Sequence, residues 1–122
     1  VRPVILRAAA ILLLLSAPAE AVTCRVIDGD SLVCAGERVR LAGIDAPELR
    51  GMCRYERRLA ERARAALEAA VDGQDVVLVG EGRDRYGRLL ARVYVAGRDV
   101  GAALVAEGLA RKWRGRREAW CW

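Results

Sequence analysis

Apolar residues in this chain come mostly in short runs, and one long segment alone has a helical period. That pattern restricts the fold to a β-rich architecture with little helix. The runs Val22–Ile27, Ser31–Cys34, Arg38–Ile44, Val76–Val79 and Leu89–Val95 have the length of strands, not of helices. Asp28-Gly29 separates the first two and predicts a hairpin turn. Within Arg38–Ile44, Val39, Leu41 and Gly43 alternate onto one face, which turns Arg40 to the other. Pro47 ends that strand. Arg54–Val71 is the helix: Tyr55, Leu59, Ala63, Ala66, Leu67 and Ala70 share a stripe, and Gly73 stops it. The arginines on its other face read as solvated, supported by Arg57–Glu61 and Arg64–Glu68 pairs. Asp99 caps a second, short helix that runs through Ala106 and ends at Gly108. Residues 109–122 form a basic, tryptophan-rich tail without a period. The expected class is α+β, mainly β: a five-stranded OB-like barrel with a long helix after strand 3 and a short helix after strand 5.

Residues 1–21 read as a secretory signal, which leaves residues 22–122 as one domain. Arg2 and Arg7 give a basic start, Ala8–Leu15 an apolar run, and Ala19-Glu20-Ala21 a small-x-small cleavage site. Export, to a periplasmic or extracellular location, fits the even count of 4 cysteines, none in a C-x-x-C pair. A hairpin turning at Asp28-Gly29 sets Cys24 nearly opposite Cys34, within bridging range. Cys53 then remains for Cys121. The sequence does not give the tail's path, so a free or intermolecular Cys121 is the alternative. Phenylalanine is absent, so Val, Leu, Ile and Ala must build the core, and covalent staples gain weight.

The lack of histidine removes Ser-His-Asp and Cys-His hydrolases, His-ligated zinc and histidine acid–base chemistry. Hydrolysis here would need a carboxylate base, a metal-activated water, or both. The net charge of +5 is compatible with a polyanionic partner, and nearly all of it is arginine, which forks phosphate bidentately. Residues 26–48 gather Asp30, Asp45, Glu48 and Arg40 at strand ends, and D-R-Y-G-R adds Arg88. Asp30 and Asp45 can supply two anionic oxygen ligands to a hard cation. Glu48, past the rigid Pro47, is within reach of a water beside that cation. Arg40 and Arg88 can clamp phosphate oxygens as charge develops. Singly, each has a plain structural reading, such as a turn aspartate or a surface arginine. Their joint presence favours a phosphodiester-cleaving site.

The set closely resembles the thermonuclease (staphylococcal nuclease-like) family. D-G-D-S stands for that family's D-G-D-T, V-R-L-A-G-I-D-A-P-E for its arginine–aspartate–proline–glutamate segment, and D-R-Y-G-R-L-L-A for its second arginine. V-G-A-A-L-V-A-E-G-L-A then matches the helix that follows. The resemblance implies a secreted, calcium-dependent nuclease acting on DNA and RNA and leaving 3′-phosphate ends. It implies no stable protein partner and a monomer. Asp30 and Asp45 match its calcium carboxylates, and Ala46 a residue that binds Ca2+ through its carbonyl. Glu48 matches the general base, and Arg40 and Arg88 the phosphate-binding arginines. Arg85 and Tyr86 fall where the family contacts nucleotide. Ser31 departs from threonine but keeps the hydroxyl. The family's nucleotide-contacting tail tyrosines have no match, so Trp113, Trp120 and Trp122 either stack on a base or cover the barrel. The alternative is an OB-fold module that binds nucleic acid without catalysis.

Overall fold

The computed structural model describes residues 2–4 and 20–122, so most of the expected export segment lies outside the described residues. Among the described residues, eight strands and two helices follow in chain order. They are β1 (Cys24–Asp28), β2 (Ser31–Cys34), β3 (Glu37–Leu41), β4 (Ile44–Asp45), α1 (Arg54–Val71), β5 (Val76–Arg83), β6 (Leu89–Val95), β7 (Arg98–Asp99), α2 (Val100–Ala106) and β8 (Arg111–Lys112). The five longer strands run in the spatial order β1-β2-β3-β6-β5, antiparallel except for the parallel β3–β6 pair. Val22 and Val76 exchange two backbone hydrogen bonds, of 2.9 and 2.8 Å, and join the two edges into an OB-like barrel. The parallel pairing sets Val39 against Leu89 and Arg40 against Leu90, so Arg88, just before β6, lies near the start of β3.

The barrel interior is aliphatic. Leu32, Val39, Leu41, Val76 and Val93 are almost fully buried and meet Leu59, Leu67 and Val71 of α1. Burial of such side chains contributes about 1.5–3 kcal/mol each. Helix α1 has the expected bounds. Its first turn is bounded by Cys53, whose extended backbone precedes the helix, and Gly73 follows it with a φ of +66°.

Four expectations are corrected. The third strand does not continue to Ile44: Gly43 turns it at a φ of +77° and starts β4 in a new direction. Strand β5 extends past Val79 to Arg83. On α1, Tyr55 is exposed and Glu56 takes the buried position, because its carboxylate accepts from the N–H groups of Glu48 (3.2 Å) and Met52 (3.3 Å). Arg64 pairs with Glu68 at 3.2 Å, but Arg57 turns to the carbonyl of Gly51 at 2.9 Å instead of meeting Glu61.

The tail has a definite path. β8 pairs antiparallel with β4, and Trp113 N–H donates to the Gly43 carbonyl at 2.9 Å. Trp120 is buried against the core with the Arg111 guanidinium 3.7 Å from its ring centre. Cys53 bonds Cys121 with their Cα atoms 6.1 Å apart, and Cys24 bonds Cys34 across the hairpin, where the two are register partners. Of the tail tryptophans, Trp120 covers the barrel and Trp122 is exposed.

Candidate active site

The hairpin turn places the first carboxylate. Asp28 accepts from the N–H of Asp30 at 3.2 Å and from the Ser31 hydroxyl, which locks the turn. Gly29 allows it to press inward: a Cβ there would stand 2.8 Å from the Ala63 Cβ of α1 and 3.1 Å from that of Ala46. Asp30 is thereby buried and faces the loop after β4, where its Oδ2 accepts from Ala46 N–H at 3.1 Å. Asp45, at the end of β4, is buried too.

Arg40 ties this cluster together. Val39 and Leu41 point into the core, so Arg40 projects from the other face. Its guanidinium donates to the carbonyls of Leu41 (2.6 Å) and Ile44 (2.9 Å) and lies 3.4 Å from Asp30 and 3.9 Å from Asp45. One arginine therefore faces two acids. Burial, with neighbouring Asp28 adding to it, raises the Asp30 carboxyl to about 7 against the attraction of Arg40. Burial also raises Asp45, opposed first by Arg117 and then by Arg40, while Glu48 adds repulsion. Asp45 Oδ1 and Trp120 Nε1 are both buried without a hydrogen-bond partner, though the indole N–H still acts on Asp45 as a nearby donor.

These observations bear on whether the site suits a hard cation. An unpartnered buried carboxylate oxygen beside a second buried carboxylate favours added positive charge, since burial raises both carboxyls despite Arg40 and, at Asp45, Arg117. Both side chains offer oxygen donors, as calcium requires. No group of three or more His, Cys, Asp or Glu side chains gathers as a metal site among the described residues, so a cation held here would have to complete its shell with other oxygens, water among them.

The D-R-Y-G-R turn forms the facing wall. Asp84 accepts from Arg88 Nε at 2.7 Å and from the backbone N–H groups of Arg88 and Tyr86, each at 2.9 Å. Desolvation works against its charge, yet the Arg88 side-chain bond and these backbone bonds hold the carboxyl below its ordinary value. Tyr86 is exposed, with Arg85 and Arg88 4.9 and 5.6 Å from its ring centre. Arg40, Arg88, Arg85 and Tyr86 line one cavity of about 740 Å³, together with Trp113 and Arg117.

The structure thus brings Asp30, Arg40 and Asp45 into contact and puts Arg85, Tyr86 and Arg88 on the same cavity. Glu48 stands beside this group without touching its members. It pairs with Arg117 of the tail. Sequence reasoning missed Arg117 and the placement of Trp113, whose ring lies 6.0 Å from the Arg40 guanidinium. Neither has a local signal: both reach the site through β8 and the Cys53–Cys121 bond.

Residues 38–119, a span that includes Arg40, Asp45, Glu48 and Arg88, match the staphylococcal nuclease homologue family. The chain belongs to that family. It is 35% identical over 96 residues to an uncharacterized endonuclease of Haemophilus influenzae, covering 72% of this chain and 51% of that protein. It is 40% identical over 91 residues to the succinoglycan biosynthesis protein ExoI of Rhizobium meliloti, covering 70% and 48%. To the thermonuclease of Staphylococcus intermedius it is 36% identical over 93 residues, covering 71% and 55%. The chain spans about half the length of these curated relatives.

Proposed function

We propose that this staphylococcal nuclease homologue is an exported, calcium-dependent nuclease, acting as a monomer. Its reaction is hydrolysis of phosphodiester bonds in single-stranded or locally open DNA and RNA, with 3′-phosphate ends as products. The observation that carries the reading is the arrangement of Arg40 between two buried carboxylates, on the cavity that Arg88 also lines. Names of relatives such as endonuclease and thermonuclease support it. The two disulfides suit an oxidising compartment and support export, with the mature chain starting near Val22.

Asp30, Asp45 and the Ala46 carbonyl are the residues that would hold calcium, which when bound supplies positive charge to neutralise the phosphate. Arg40 and Arg88 donate to the non-bridging oxygens and stabilise the charge that builds at phosphorus. Glu48 takes a proton from the water that attacks in line. As the new bond to phosphorus forms, the bond to the 5′ oxygen breaks, and the phosphate stays on the 3′ side. Arg85 and Tyr86 contact the nucleotide beside the scissile bond.

Glu48→Gln tests the assignment most sharply. It keeps shape and removes the base, so turnover should fall about a hundredfold to a thousandfold in a folded protein. Near-normal turnover would refute the general-base role.

A further inference from the structure

Arg117 has no role in the mechanism above, yet it sits in the middle of it. It lines the cavity with Arg40 and Arg88 and pairs with Glu48. Burial works against its charge, but Glu48 first, and then Asp45 and Asp30, hold its pKa above the usual arginine value. Holding the tail in place does not depend on it. The Cys53–Cys121 bond, the β4–β8 pairing and the stacking of Arg111 on Trp120 already do that.

The Arg117–Glu48 pair also differs from the Arg40 cluster in exposure. Its side chains are 57% and 41% exposed, whereas Arg40 and Asp30 are 12% and 10% exposed. Half-exposed ion pairs contribute little, so a competing anion can exchange with Glu48 at small cost. A guanidinium carries its donors in a fork that matches phosphate, and the bond to Glu48 is made from NH1 alone among the described residues. Nucleic acid presents a phosphate at every nucleotide, and Arg40 and Arg88 account for the scissile one.

We propose that Arg117 is a third phosphate-binding arginine, resting on Glu48 and passing to a phosphate adjacent to the scissile one when a polynucleotide enters. The exchange releases Glu48 to act on water, so an isolated diester with no neighbouring phosphate would leave the base paired. This inference rests on the nuclease reading and adds to it a preference for polynucleotide over single diesters.

The test is binding of a fluorescein-labelled phosphorothioate oligothymidylate, which keeps its charges and resists cleavage, measured by anisotropy in calcium across a salt series. Removing one phosphate contact from a single strand lowers the slope of log K against log salt by about 0.7. Arg117→Ala should show that loss and bind about tenfold more weakly. Arg117→Lys, which keeps the charge, should retain the slope, and Arg64→Ala on the far face of α1 should match the unaltered protein. The same loss should follow Arg117→Ala in a Glu48→Gln background, where the resting partner is gone. An unchanged slope in Arg117→Ala would overturn the assignment. So would an effect that vanishes in the Glu48→Gln background, or an equal loss of slope in Arg117→Lys. Failure of the unaltered protein to bind at all would overturn the nuclease reading, and this assignment with it.

Discussion

Asp30 and Asp45 are buried and interlocked with Arg40, whereas Arg88 and Arg117, which line the same cavity as Arg40, rest on Asp84 and Glu48 in more exposed ion pairs. Burial raises both inner carboxyls although Arg40 attracts both and Arg117 attracts Asp45. Arg40 there spends its donors on two backbone carbonyls as well as two acids, so it is held before any substrate arrives. At the rim, each arginine rests on a single carboxylate and can exchange it. On the proposed reading, the inner half would be completed by a cation, and the outer half would hand its guanidinia to phosphate. Rigidity and exchangeability are divided between two parts of one site.

Substitution can break this division or sharpen it. Arg40→Ala should have the largest effect, because it removes a phosphate donor and leaves two buried acids facing each other. We expect activity to fall about a thousandfold or more and stability by about 3 kcal/mol, read by kinetics and urea unfolding. Next is Cys53→Ser, which frees the tail. The bond links residues 68 apart, and the chain-entropy model gives a loss of about 4 kcal/mol, against about 3 for the hairpin bond with its separation of 10. Arg88→Ala should lose about a hundredfold in rate with almost no change in melting temperature. A large stability loss there would erase the contrast between the halves. Arg57→Ala, whose side chain meets only the Gly51 carbonyl at the surface, should leave rate and stability nearly unchanged.

Local chemistry made much of this readable from sequence. The bounds of α1 follow from its period and from Gly73, the hairpin register from cysteines placed symmetrically about the turn, and the face of Arg40 from strand alternation. Three features were hidden for physical reasons. The break at Gly43 is masked because Leu41 and Ile44 are both apolar and buried, so the apolar run continues across the turn. Glu56 displaces Tyr55 from the buried stripe because backbone N–H groups of the preceding loop need an acceptor, which hydrophobic periodicity does not encode. Arg117 reaches Glu48 only through a disulfide and a two-residue strand, links between segments far apart in the chain. The proximity of Asp30 and Asp45 to Arg40 was legible from their places at strand ends, but the pairing of Glu48 with Arg117 was not.

The inner acids should require a cation before the arginines can act. Digestion of denatured DNA by the purified protein, in calcium or in excess EGTA, tests it directly. We predict no cleavage in EGTA, full recovery on adding calcium, and poor recovery with magnesium, which demands a stricter octahedral shell and gives up its waters reluctantly. Undiminished cleavage in EGTA would contradict the claim.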